Sequence, residues 1–152
     1  MSLKLTSGAF REGEMIPRKY SRQGGNHSIP LSWTDAPAAT KSFALIMDDP
    51  DAPSGVFVHW LVYHIPVSVK ELDEGVPPVP ELPNGIRQGR NGFGEIGYGG
   101  PQPPSGIHRY FLHLYALDRD LSLPPGASRK DLDSAIHGHV LEEAQLMGRY
   151  GK

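Results

Sequence analysis

The chain has 152 residues, enough for one domain with a core that needs no disulfide or metal to hold it. Its 15 basic and 17 acidic residues leave a net charge of −2, which argues against a nucleic-acid binder and against an electrostatically held membrane protein. The absence of cysteine excludes a disulfide scaffold, thiol catalysis and a thiolate metal site. The 18 glycines and 15 prolines make up about a fifth of the chain, short of a disordered composition, and point to a loop-rich β protein. No apolar run approaches the roughly 20 residues of a membrane helix. The N-terminus shows none of the regions of a secretory leader, so a cytoplasmic location is expected.

Leu3 to Phe10 and Ile16 to Tyr20 are short strand candidates, and Gln23-Gly24-Gly25-Asn26 marks a turn. Ile29 to Trp33 is extended, because Pro30 and Pro37 forbid a helix across it. Ser42 to Met47 and Val56 to Ile65 are apolar on both parities and rich in β-branched and aromatic residues. They read as central strands buried on both faces. Strict alternation along the second puts His59 with Phe57, Leu61, Tyr63 and Ile65, and Trp60 on the opposite face. From Glu74 to Pro104 the chain becomes one long Pro- and Gly-rich excursion of the kind that carries function. Tyr110 to Leu117 is a third buried strand. Ser128 then caps a helical tail, with Leu132, Ile136, Val140, Leu141, Ala144 and Met147 at helical spacing and Gly138 splitting it into short helices.

Gly92, Gly94 and Gly97 spell a dinucleotide-loop pattern, but no buried strand precedes it and Pro101 to Pro104 exclude the following helix. Asp48-Asp49-Pro50-Asp51-Ala52-Pro53 reads as a turn, or as carboxylates at the mouth of a β-sandwich. His59 alone reads as a hydrogen-bonded core residue. With His108-Arg109-Tyr110 at the start of the third buried strand, it becomes half of an imidazole pair beside a Gly-rich loop, an arrangement suited to an oxyanion. His64 and His113 read as structural, and His137 and His139 sit too close on a helix to face one metal. There is no nucleophile elbow, and Asp49, His59 and His108 lack the close spacing of an iron site.

Three motifs in order carry a family resemblance. Asp49-Pro50-Asp51-Ala52-Pro53, then Val58-His59-Trp60, then Gly99-Gly100-Pro101 through His108-Arg109-Tyr110 resemble the phosphatidylethanolamine-binding protein family, in the compact form of its bacterial and archaeal branch. The resemblance runs from about residue 3 to residue 150, so residues 1–152 are read as one such domain. It implies an antiparallel Greek-key β-sandwich, mainly β, with short C-terminal helices and an anion pocket at one end. It also implies that Asp49, Asp51, His59, Gly100, Pro101, His108 and Tyr110 lie at or near that pocket.

The expected function is non-enzymatic binding of a small anionic or phosphorylated ligand, without cofactor or metal. The alternatives are an inhibitor of a serine protease or kinase acting through the Gly/Pro-rich loop, and a weak hydrolase. The chain departs from animal relatives in its single histidine before Trp60 and in its length, which weakens the kinase reading. A homodimer is expected, as is a cis Ala52–Pro53 bond. Anion affinity is expected to rise as pH falls from about 8 towards 6 through His59 and His108, with the balance between burial and carboxylates left open.

Overall fold

The computed structural model describes residues 2–151. Its elements run β1 (Lys4–Thr6), β2 (Leu31–Thr34), β3 (Ser42–Asp49), β4 (Phe57–Pro66), β5 (Glu71–Leu72), β6 (Arg87–Gln88), β7 (Ile107–Leu117), α1 (Arg129–Ile136) and β8 (Val140–Gly151). Two antiparallel sheets result, one in the order β1-β2-β5 and one in the order β6-β4-β3-β7-β8. The mainly-β, two-sheet expectation is met.

β3 is central to the large sheet and buried at all eight positions, the burial that its apolar character on both parities predicts. One face contributes Phe43, Leu45 and Met47 to a core shared with Leu5, Leu31, Trp33 and Leu72 of the small sheet. The rings of Trp33 and Phe43 meet between the sheets at 5.6 Å. The other face packs Ala44 and Ile46 under Leu121, Leu132 and Ile136, so α1 and the segment before it form a cover.

The tail departs from its expected helical form. Ser128 accepts a hydrogen bond from the Asp131 amide and caps α1, but the helix stops at Ile136 and Gly138 takes a φ of +80°. From Val140 the chain is a 12-residue strand in register with β7 from Leu117 to Ile107. Ala144, Leu146 and Gly148 recur with period two on the inner face, and that period, together with a ladder waiting on β7, overrides the helical spacing.

Ile16 to Tyr20 likewise forms no strand. Pro17 leads into a 3-10 turn at Arg18–Tyr20, while Ile16 donates its amide to the Arg149 carbonyl at 2.7 Å. The expected cis Ala52–Pro53 bond is absent, all described peptide bonds being trans. The turn closes instead through the Asp51 amide on Asp49 Oδ1 at 2.8 Å and the Gly55 amide on the Ala52 carbonyl at 3.1 Å.

The Glu74–Pro104 excursion lies flat on the body. β6 pairs with Val62 and Tyr63 of β4, and the amides of Gly89, Gly92 and Gly99 donate to the carbonyls of Leu61, Val58 and His59. Gln88, fully buried, accepts from Trp60 Nε1 at 2.7 Å and donates to the Pro77 and Val79 carbonyls, which fastens the proline run to the core.

Gly148 on β8 tests this packing. A Cβ there would lie 2.6 Å from Ile16 Cγ1 and from Phe10 Cε2. Gly148→Ala should cost about 1–3 kcal/mol in denaturant unfolding. Parent-like stability would show that the 10–16 segment does not pack on β8.

Candidate functional site

The pocket forms where β3 ends beside the starts of β4 and β7. Asp49 is the last residue of β3, His59 the third of β4, and His108 and Tyr110 the second and fourth of β7. Alternation alone would turn His59 away from the others. The ladder prevents this: Met47 pairs with Trp60 but Asp48 with Val58, so His59 is an extra residue in β4, a β-bulge. A second irregularity, between Val62 and Ile65, places His64 at a φ of +58°. Trp60, Val62 and Ile65 therefore share the inner core, correcting the face assignment made from sequence. At the first bulge the His59 ring comes within 5.1 Å of the Tyr110 ring, centroid to centroid.

The cavity holds about 170 Å³. Its polar wall is Asp49, Ser54, His59, Gln102, His108 and Tyr110, and its apolar wall includes Phe57, Phe93, Pro53, Pro103 and Pro104. His108 and Asp49 are both buried, and His108 Nδ1–H donates to Asp49 Oδ2 at 2.6 Å. That bond fixes the ring and leaves Nε2 for the cavity. His59 Nδ1–H donates to the Gly99 carbonyl at 2.6 Å, and the Gly99 amide returns a bond to the His59 carbonyl at 2.8 Å. Burial pushes the His59 imidazole below its ordinary value, outweighing Gly99 and the charges of Asp49 and Asp48.

Tyr110 is fully buried and its hydroxyl has no hydrogen-bond partner. Burial first, then the Asp49 carboxylate, push its phenol well up, so it remains a protonated donor. Phe57 and Phe93 meet edge to face at 4.8 Å, and Arg22 stacks on Phe93 with its guanidinium carbon 3.9 Å from the ring centre. A Cβ on Gly92 would strike the Phe57 ring and one on Gly99 the Phe93 ring, both at 2.6 Å. The glycine spacing that mimics a nucleotide loop thus makes room for two aromatic walls. Asn91 shapes that loop, accepting from the amides of Phe93 and Glu95 and donating to the Gly97 carbonyl.

Four of the seven residues singled out from sequence, Asp49, His59, His108 and Tyr110, line this cavity. The other three lie around it. Asp51 clamps Arg109, whose amide and Nε reach Oδ2 at 2.9 Å and whose Nη2 reaches Oδ1 at 2.8 Å. The Arg109 hydrogen bonds hold its carboxyl down at about 2. Gly100 donates its amide to Asn26 Oδ1 at 2.7 Å, and the Pro101 carbonyl accepts from the Arg22 amide at 3.1 Å. All three are struts of the rim. Phe57, Phe93, Gln102, Pro103 and Pro104 carried no chemical signal of their own in the sequence. The signal available was positional: four of them, all but Phe57, belong to the Gly/Pro-rich excursion.

On the opposite face of the sheet, Asp48 makes a second carboxylate–imidazole contact. His113 Nε2 lies 3.2 Å from Asp48 Oδ1 and its Nδ1 lies 3.0 Å from Glu143 Oε2. Arg129 of α1 reaches Asp48 Oδ2 at 3.1 Å. Burial opposes charge on His113, but Asp48 and Glu143 win and raise it.

A two-sheet β protein with a small pocket, closed by a buried Asp–His pair and two aromatic rings, is the class that these features define. The chain belongs to the phosphatidylethanolamine-binding protein family, which it matches over residues 6–151. A UPF0098 protein of Methanothermobacter thermautotrophicus is 51% identical, across 97% of this chain and 98% of that one. A UPF0098 protein of Aquifex aeolicus is 50% identical, across 97% and 88%. Among solved structures, the Chlamydia trachomatis homologue CT736 superposes with a TM-score of 0.91 at 43% identity, covering 99% of this chain and 98% of that chain. Escherichia coli YBCL, titled a member of the mammalian PEBP family, reaches 0.93 at 31% identity, covering 100% and 99%.

The buried histidine in the pocket wall and the carboxylate-bound one behind it make a directional prediction. In an NMR pH titration His59 should titrate below 6.5 and His113 above it. Because the His113 value is raised on folding, its contribution to stability is complete below about 6.5 and is lost as pH rises through the folded value. His113→Gln should therefore flatten the fall in stability above pH 6.5, measured by thermal unfolding. An unchanged profile would disprove the linkage.

Proposed function

We propose that the protein is a non-enzymatic binding protein whose pocket takes a small phosphate-bearing or other anionic ligand. The observation that carries this is the Tyr110 hydroxyl, buried and unpartnered on the cavity wall beside a histidine fixed by Asp49. A buried donor without a partner costs about 1–3 kcal/mol, and an oxyanion seated there removes that cost. The apolar wall supports the same reading, since a dry, aromatic cavity strengthens each polar contact with a bound ion. Membership of a family named for binding phosphatidylethanolamine supports a ligand-binding reading.

The lowered His59 value changes one expectation. Burial disfavours the His59 cation, so His59 adds less to the hold on an anion than the expected imidazolium would. The reading also includes a homodimer. β8 is an edge strand of the large sheet, and its first residues, Val140 and Leu141, are exposed. Light scattering should return twice the 16.6 kDa chain mass, and a single-chain mass at micromolar and higher concentrations would refute it.

Calorimetric titration with inorganic phosphate tests the pocket. Tyr110→Phe and His108→Ala should each weaken binding by about 1–3 kcal/mol. Binding equal to that of the parent in both variants would place the anion elsewhere.

A further inference from the structure

Beyond the end of β4 that lies away from the pocket, β5 leaves one edge of the small sheet open. It pairs with β2 on one side only. The Trp33 amide donates to the Lys70 carbonyl, and Leu31 pairs with Leu72, so residues 70 and 72 turn their backbone groups towards β2. Glu71, opposite Ser32, therefore turns its N–H and C=O away from the sheet, and neither has a partner among the described residues. The edges of the large sheet are treated differently. β6 bridges to Glu81, and the end of β8 is met by Gly13, Glu14 and Ile16.

A groove of about 440 Å³ runs along that open edge. β5 forms one wall and the Leu82–Ile86 turn the other, and no residue of β2 lines it. Its floor is apolar: Val69, Val76 and Leu82 pack half-buried on the core beside Leu72 and Ile86. The far wall is pinned at three points. The Leu82 amide donates to the Ile86 carbonyl at 2.7 Å, and His64 Nδ1–H donates to the Gly85 carbonyl at 2.8 Å. Gln88 anchors the proline run that leads into the turn. A wall held this way keeps the groove formed before anything binds.

The charge of the groove is of one sign. Glu71, Asp73 and Glu74 line it, and no basic residue does, Lys70 lying outside the lining. Lys19 and the Tyr20 hydroxyl engage Glu74, whereas Glu71 and Asp73 are exposed and make no ion pair among the described residues. We infer that this groove docks an extended peptide segment of a partner protein, which adds to β5 as a further strand and alternates basic with apolar residues. The alternation follows from the pleat. A residue opposite Glu71 shares its face, where a lysine or arginine meets Glu71 and Asp73. The residues on either side of it point the other way, on to Leu72 and the apolar floor. Charge on an edge guards a sheet against pairing. Beside a preformed apolar groove it selects the charge of the strand admitted. The inference stands apart from the anion-binding reading, which concerns the other end of β4.

The experiment is an NMR titration of the whole chain with a pentapeptide that alternates lysine with valine and is blocked at both ends. The amide signals of Glu71 and Asp73 should move, and those of His59 and His108 should not. A counterpart with glutamate in place of lysine should bind at least about tenfold more weakly. Two further copies carry backbone N-methyl groups, one at the lysines and one at the valines. Only alternate amides of a strand face β5, so one copy should lose at least about tenfold in affinity and the other should keep most of it. These copies need no change in the protein. Glu71→Gln and Asp73→Asn together, both at exposed positions, should weaken the lysine peptide by about three- to tenfold and flatten its dependence on salt. Parent-like binding to that double variant overturns the inference, as does equal binding of the lysine and glutamate peptides. So does a loss in both N-methylated copies or in neither, which would mean that no strand pairs with β5. Shifts confined to another surface, or no binding of the lysine peptide at millimolar concentration, also overturn it. Each of these outcomes leaves the anion pocket untouched.

Discussion

The pocket depends on one extra residue. β4 carries His59 where β3 has no partner for it, because Met47 pairs with Trp60 and Asp48 already with Val58. A bulge of this kind shifts the side chains beyond it by one place relative to the partner strand. Without it, His59 would share a face with Leu61 and Tyr63, under α1, and the inner wall would lose one of its two imidazoles. With it, His59 and Trp60 both reach the inner side of the large sheet. Trp60 then holds Gln88, Gln88 holds the proline run, and Gly99 holds the His59 ring. The excursion could not seat its aromatic residues over the cavity if β4 were regular.

Asp48 and Asp49 solve the same electrostatic problem on opposite faces of one strand. Each is buried, and an isolated buried carboxylate carries a large desolvation cost. Strand alternation sends Asp49 to the pocket and Asp48 to the outer face, and β7 supplies a histidine on each side, His108 inward and His113 outward. The outer pair is reinforced by Arg129 and Glu143, which ties α1 and β8 to the end of β3. The inner pair has only the cavity in front of it. One pair therefore works as a structural clamp, while the other lines the cavity.

The glycines and prolines of residues 74–104 act through space rather than flexibility. Gly92 and Gly99 are bare where Phe57 and Phe93 come closest, and their amides run along the edge of β4. Pro103 and Pro104 close the wall that the two rings begin. Phe93 is in turn covered by Arg22, which Glu95 holds bidentately, so the aromatic wall is braced from outside.

The sequence by itself determined the central strands and, with the family resemblance, four of the pocket's polar residues. The strand signal is local: β3 and β4 are apolar on both parities. Asp49, His59 and His108 were legible as polar groups inside or at the end of such strands, and Tyr110 through the resemblance of its motif. What the sequence could not fix was decided by pairing. The bulge at His59 is set by register against β3, and no residue type announces it. The strand at Val140–Gly151 has a helical spacing in its apolar residues, and only the free ladder of β7 makes it extended. Asp51, Gly100 and Pro101 share a motif with the pocket but face Arg109, Asn26 and Arg22, because hydrogen bonds made across the fold claim their polar atoms first. Composition and periodicity state what a segment can bury, and tertiary structure alone states which partner buries it.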